Sequence, residues 1–399
     1  MRICVISAFP PTIAGIADYG AHLVQQLARD PAVEAVTVLA DQVPGAPPHT
    51  RVGRVEVRRV WRRDRAGTGL ALLRELQAAR ADVVWFNLGL TMFGTGAAAA
   101  ALGLIALLGP SVLGYRLVVT LHELPPLSNF VGLGLRAGPG QFAASLVPRV
   151  VLRADRVVVT LDRYRRFLTD RYGARDVVHI AHGAYTEPRW TDEPERETAL
   201  VFGTFSPHKD PGLVMEAVAR LHRRRPAVRL IVAGADHPRF PGFMTECQAR
   251  HGLVGSWIGY VPADRLGTLF AAATVVVVAP RASTGSSGVI YRALSHGRVV
   301  LASDLLDYRG LAQDEDLELA WFEPGDSARL ASSLEELLDD PRRRRRMVMH
   351  NLQALQRLGP TQTADAYLAA FDGQNGWAMA RPDRRCGDLA PALEAGGKG

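Results

Sequence analysis

Short apolar runs alternate with longer amphipathic stretches along almost the whole chain, and that rhythm leaves few architectures open. Residues 2–8, 36–40, 55–61, 82–86, 116–121 and 156–160 read as strands, with helices over 16–28, 70–79 and 163–172 between them. Strands that are apolar on both faces must be buried on both faces. Separating them by helices requires a parallel, doubly wound sheet. Residues 187–197 break the rhythm, being polar, proline-containing and almost free of core residues. It then restarts with strands at 200–203, 228–233, 257–260, 274–279 and 299–302, and with helices at 212–224, 264–271 and about 287–296. Helices at 341–358 and 361–371 follow. The expectation is an α/β protein of two Rossmann-like halves, 1–186 and 199–358, joined by a linker at 187–198. A closing helical segment at 359–372 would pack back toward the first half, and a Gly/Pro-rich tail at 373–399 is expected to be disordered.

The chain has 399 residues, enough for two cores. Its three cysteines lie far apart, which argues against a disulfide framework or a zinc site and fits a reducing cytoplasm. The opening residues run straight into a strand rather than a cleavable apolar leader. The formal charge of +7 is concentrated in arginine clusters at 58–63, 223–225 and 342–346. These read either as solvated faces or as attraction to an anionic membrane surface. Nucleic acid is not expected, because no binding module accompanies them. Residues 83–115 carry no charged side chain. Strand 82–86 and repeated glycines make a buried or surface-apolar helix the better reading than a membrane span, and with 124–151 the region suggests a greasy acceptor surface.

Lys209 stands out, because the only other lysine among 47 basic residues is Lys398. A lysine kept against such a bias marks a place where a compact ammonium serves and a planar guanidinium does not. It ends a Gly- and Pro-punctuated turn, Gly203 to Lys209, between a strand and a helix, a usual place to hold a phosphate. A second phosphate-binding feature follows at Thr284, Gly285, Ser286, Ser287 and Gly288, a small-residue loop before the helix that carries Arg292. Its glycines permit close backbone approach and its helix amides point outward. The first half offers the Pro10–Pro11…Gly15 loop leading into Asp18 and Tyr19, and His122–Glu123 directly after a buried strand. His182 is a weaker case of the same kind. Both features fall where open α/β sheets bind ligands.

Taken together, the Gly15 loop, the strand before His122, the segment 155–159 before His182–Gly183, the Gly203…Lys209 turn and the Ala293…Ser303 stretch resemble a retaining glycosyltransferase of the family 4 type, with GT-B architecture. The resemblance covers roughly residues 1–371. It implies two Rossmann-like domains facing across a cleft, with a nucleoside diphosphate sugar held mainly by the C-terminal domain and an acceptor mainly by the N-terminal one. No cofactor and no metal are implied. Lys209 would neutralise the departing diphosphate, and Gly203 with the loop 284–288 and Arg292 would line the donor. Gly15 would approach the sugar and phosphates, His122 would bond a sugar hydroxyl, and Asp18, Tyr19 and Glu123 would face the acceptor. The implied activity is transfer of a hexose to a glycan or lipid-linked acceptor in polysaccharide biosynthesis, in the cytoplasm or at the inner membrane face.

The chain departs from the family pattern of paired glutamates, whose two positions hold Thr284 and Arg292. No acidic residue occurs from 265 to 303. The arginine that commonly partners the lysine falls at Thr204. These losses keep open an alternative, a non-catalytic GT-B scaffold in a glycan-assembly complex. A sugar-nucleotide epimerase would need cleft carboxylates that the sequence does not identify.

Overall fold

The computed structural model describes residues 1–373 except 64, 66–67, 90–91, 95–96, 128–145, 253 and 283–284. Thr284, most of the 124–151 stretch and residues 374–399 therefore lie outside the described residues. The first sheet has eight strands: β1 (Arg2–Ile6), β2 (Ala35–Asp41), β3 (His49–Val52), β4 (Val55–Trp61), β5 (Val83–Leu88), β6 (Arg116–Leu121), β7 (Arg156–Val159) and β8 (Val177–His179), in the order β3-β4-β2-β1-β5-β6-β7-β8. Helices α1 (Gly15–Leu27), α2 (Thr68–Ala79), α3 (Ala97–Val112) and α4 (Asp162–Tyr172) cover it. Strand β5 is buried at every position, as a central strand covered on both faces must be.

The second sheet has six strands, β9 (Thr198–Phe205), β10 (Arg229–Asp236), β11 (Ser256–Ile258), β12 (Val275–Val278), β13 (Val299–Ser303) and β14 (Ala320–Phe322), in the order β11-β10-β9-β12-β13-β14. Its helices are α5 (Pro211–His222), α6 (Phe243–His251), α7 (Leu266–Ala271), α8 (Gly288–Ser295), α9 (Leu306–Glu315), α10 (Ser327–Asp339) and α11 (Pro341–Leu355), and α12 (Pro360–Asp372) follows. Every described pairing is parallel except β3 with β4. That hairpin adds an edge strand, all of it exposed, which the sequence reading omits.

Helix α12 returns to the first sheet. Its Tyr367 hydroxyl lies 2.9 Å from both the Tyr19 hydroxyl and Thr120 Oγ1, and its ring packs on Trp85. The stretch before β9 is held in place: buried Arg298 donates to the carbonyls of Thr191 and Asp192, and Arg344 grips Glu193. In each sheet the strand order reverses beside one strand, at β1 between β2 and β5 and at β9 between β10 and β12. The carboxyl ends of strands at such reversals open into crevices.

The arginine clusters are largely engaged within the fold. Arg58 meets Glu56 and Glu75, and Arg59 donates to Asp41 and Pro10 carbonyls. Arg224 meets Glu335, Arg225 meets Glu197 and Asp339, and Arg345 lies over Trp190. No helix among the described residues is long and apolar enough to cross a membrane.

Candidate functional site

Beyond β1 the chain turns through residues 7–14 into α1, and Asp41 at the end of β2 fixes that turn. Its carboxylate accepts from Phe9 N–H at 3.1 Å and from the Thr12 hydroxyl at 2.6 Å. No side chain caps the start of α1, and nothing lies within 4 Å of where a Gly15 side chain would begin.

His122 follows β6, buried, with Tyr19 edge-on at 4.8 Å. Asn87 orients it. The Asn87 amide nitrogen donates to Ser7 Oγ at 2.9 Å and to the Ile16 carbonyl at 3.1 Å, so its Oδ1 faces the imidazole. His122 Nε2 donates to that oxygen at 2.6 Å, which leaves the lone pair on Nδ1. Burial pushes the imidazole down to about 4, so it is neutral near pH 7. A neutral imidazole with Nδ1 as acceptor suits a hydroxyl donor.

On the second sheet Gly203 and Gly234 are register partners in β9 and β10, both at φ +144°. A side chain at Gly234 would meet the Gly203 carbonyl at 1.8 Å, so this crossing admits only glycine. The turn beyond β9 carries half-buried Lys209, whose ammonium is lowered by burial and raised by the charge of Glu123 from the first sheet. Burial, then the charges of Lys209, His237 and Arg239, push His208 down to about 3. Burial, then Arg239, Arg63 and Lys209, push His237 down to about 4. The turns after β9 and β10 lie side by side through a 2.7 Å bond from His237 N–H to the Phe205 carbonyl. The charges of Arg239 and Arg63 thus bear on the histidines beside the lysine turn, although Thr204 supplies none.

The loop after β12 is zipped to the same turn. Arg281 N–H donates to the His208 carbonyl at 2.8 Å, and its side chain pairs with Asp210 at 2.5 Å. Gly285, at φ +124°, donates its N–H to Asp307 at 3.0 Å; a side chain there would meet the His122 carbonyl at 2.1 Å. Ser286 bonds Thr160 at 3.1 Å. Gly288 opens α8 directly against Tyr185 and His182.

Arg292 does not point along its own half. Its guanidinium lies 3.6 Å over the Tyr185 ring and 3.7 Å from Asp18 on α1. Burial raises the Asp18 carboxyl and the Arg292 charge lowers it. Next to this pair, the His182 ring stacks on Tyr291 at 5.1 Å, and the Tyr291 hydroxyl donates to buried Glu315 at 2.6 and 2.7 Å.

The structure gathers Asp18, His122, Glu123, Lys209, Gly285 to Gly288 and Arg292 between the two sheets, with Gly203 behind the lysine turn. Gly15 opens α1 with nothing near where a side chain would begin, and Tyr19, expected to face an acceptor, is buried beside His122 with its hydroxyl on Tyr367. The sequence reading misses Asn87, Tyr185, Asp307, Arg163 and Tyr164. Asn87 had a signal, being the one polar residue in an otherwise apolar strand. Asp307 lies four residues beyond the stretch 265–303, which holds no acid.

A family model described as Glycosyltransferase Family 4 matches residues 13–187, and one described as Glycosyl transferases group 1 matches residues 196–340. Sucrose-phosphate synthase from Thermosynechococcus elongatus is 16% identical with a TM-score of 0.71, covering 93% of this chain and 99% of that one. HepE from Anabaena, in complex with UDP-glucose, is 18% identical with a TM-score of 0.64, covering 93% and 100%. The UDP-forming α,α-trehalose-phosphate synthase from Burkholderia xenovorans, in complex with glucose-6-phosphate, is 13% identical with a TM-score of 0.68, covering 94% and 100%. Comparison with curated proteins gives no match. Two doubly wound sheets meeting at their switch points, with these matches, define a glycosyltransferase of GT-B architecture. Within that class, the chain belongs to the family 4 type.

Proposed function

We propose that this chain transfers a hexose from a nucleoside diphosphate sugar to a glycan or lipid-linked acceptor, with retention of configuration and no resident metal. The observation that carries the reading is the convergence of the Lys209 turn and the 285–288 loop, zipped together through Arg281, against the neutral His122 of the other sheet. The bond from the anomeric carbon to the diphosphate breaks, and negative charge grows on the departing phosphate. Lys209, next to a turn where the charges of Arg239 and Arg63 bear on His237, is preorganised for that charge in a half-buried setting where it counts most. His122 Nδ1 accepts from a sugar hydroxyl and fixes the ring. With retention, the acceptor oxygen arrives on the face the diphosphate leaves, so its proton can pass to a departing phosphate oxygen.

The complexes of HepE with UDP-glucose and of the trehalose-phosphate synthase with glucose-6-phosphate support a nucleotide sugar and a sugar-like acceptor. An acceptor at the inner membrane face fits the exposed Leu70, Val112 and Leu113 on α2 and at the end of α3. The test is a panel of UDP-, GDP- and ADP-sugars, with and without EDTA, reading diphosphate release and binding. Release from one donor, unchanged by EDTA and reduced about 10²-fold in Lys209→Ala, is expected. No binding of any donor sinks the reading.

A scaffold is the second reading. Arg292 already pairs with Asp18, and the Gly285 amide is already bonded to Asp307, so part of the cleft is satisfied by the protein itself. A scaffold predicts that Lys209→Ala changes nothing measurable.

A further inference from the structure

One carboxylate joins the donor loop to the opposite half of the molecule. Asp307 sits in the first turn of α9 and is 5% exposed. Its Oδ2 accepts from Gly285 N–H at 3.0 Å and from the Tyr164 hydroxyl at 3.1 Å, and its Oδ1 pairs with the Arg163 guanidinium. Gly285 belongs to the loop after β12, whereas Arg163 and Tyr164 open α4 on the first sheet. No other carboxylate described in the site takes donors from both halves and from the 285–288 loop at once.

The surroundings repeat the connection. Ser286, next to Gly285, bonds Thr160 just before α4, and Arg166 one turn along α4 reaches Asp314 on α9 at 3.4 Å. On its other side Gly285 abuts the His122 carbonyl so closely that no side chain fits. Moving α9 relative to α4 therefore moves the loop relative to His122. Hydrogen bonds to an ionised group are the stronger kind, and a buried carboxylate stripped of its partner is costly, so the arrangement is stiff.

We infer that Asp307, paired with Arg163, is a positioning residue for transfer: it sets the 285–288 loop in register with His122 and holds the two halves closed. It stands where sequence offers no acid near the loop, and its charge is spent on geometry rather than on the substrate. The inference rests on the proposed donor reading.

The test compares Asp307→Asn, Arg163→Ala, Arg163→Lys and the Asn/Ala double variant, with folding checked by circular dichroism. Asparagine keeps an oxygen for Gly285 and Tyr164 but removes the ion pair. Each of Asp307→Asn and Arg163→Ala is expected to lower kcat about 10-fold or more, since small misplacements of a reacting geometry are expensive. The double variant should lose no more than the worse single, because one interaction is removed twice. The dissociation constant for the donor's nucleoside diphosphate should change less than about threefold in the singles, and Arg163→Lys should recover most of the turnover. Unchanged kcat in folded singles, or losses that multiply in the double variant, overturn the inference. If Asp307→Asn does not fold, the Arg163 pair alone decides, because that side chain is partly exposed. If wild type binds no nucleoside diphosphate, the donor reading fails instead. The latch is then judged by small-angle scattering: Arg163→Ala should expand relative to wild type, and an unchanged radius of gyration overturns it.

Discussion

Histidine burial is the residue-scale property with the widest consequence. Burial is the leading cause that pushes His22, His122, His179 and His237 down to about 4, and His182 and His208 down to about 3. An imidazole that ionises near 6.5 when unfolded binds protons more readily there, so the stability it confers is present above 6.5 and lost as pH falls toward 4. Glu315 works in the opposite direction. Burial raises it from 4.5 to about 8, against the Tyr291 hydrogen bond, so its contribution is present below 4.5 and lost as pH climbs to 8. Below 6.5 the six histidines outweigh the one glutamate, and between 6.5 and 8 Glu315 loses its contribution. Thermal melts are expected to peak near pH 6.5 and fall on both sides. Glu315→Gln should flatten the alkaline fall and leave the acidic one; an unchanged alkaline slope would rule out Glu315 as its source.

At the scale of elements, α8 shows how a replaced motif acquires a new contact. Arg292 stands where the resemblance leads one to expect a glutamate, and it reaches α1 rather than remaining on its own half. Restoring the family residue with Arg292→Glu would place a carboxylate beside Asp18, whose carboxyl burial already raises. The expected result is a lower melting temperature and lower turnover, not a gain; improved turnover would show that the position still serves the nucleotide. The outer ends of α2 and α3 invite a separate check. Val112→Glu should weaken sedimentation with vesicles containing anionic lipid without altering transfer to a soluble acceptor, and equal sedimentation removes the proposed membrane contact.

Alternating apolar runs and helices made both sheets and most helices readable, because buried parallel strands carry no polar alternation to confuse them. The exposed β3, the short β14 and helices α9 and α10 were not readable, since edge and peripheral elements carry weaker patterns. Lys209 and the glycine loops announced themselves locally. Asp307 did not, because its partners lie 22 and about 144 residues away in the chain and only the fold unites them.

At the scale of the whole molecule, two sheets meet around the groups that would hold an anion. Their switch points face each other, α12 packs back on the first sheet, and Asp307, Asp18 and Thr160 each bond across the divide. Such an interface accounts for a loop held against His122 and a lysine turn that feels Glu123 of the other half. It also makes closure part of transfer, since the groups that would meet the donor come from both halves. The most direct measurement is calorimetric titration of wild type and Lys209→Ala with UDP, GDP and ADP. Wild type is expected to bind at least one of them, and Lys209→Ala to bind it about 10-fold or more weakly. Equal affinity in the two proteins, or no binding of any diphosphate by wild type, would contradict that expectation.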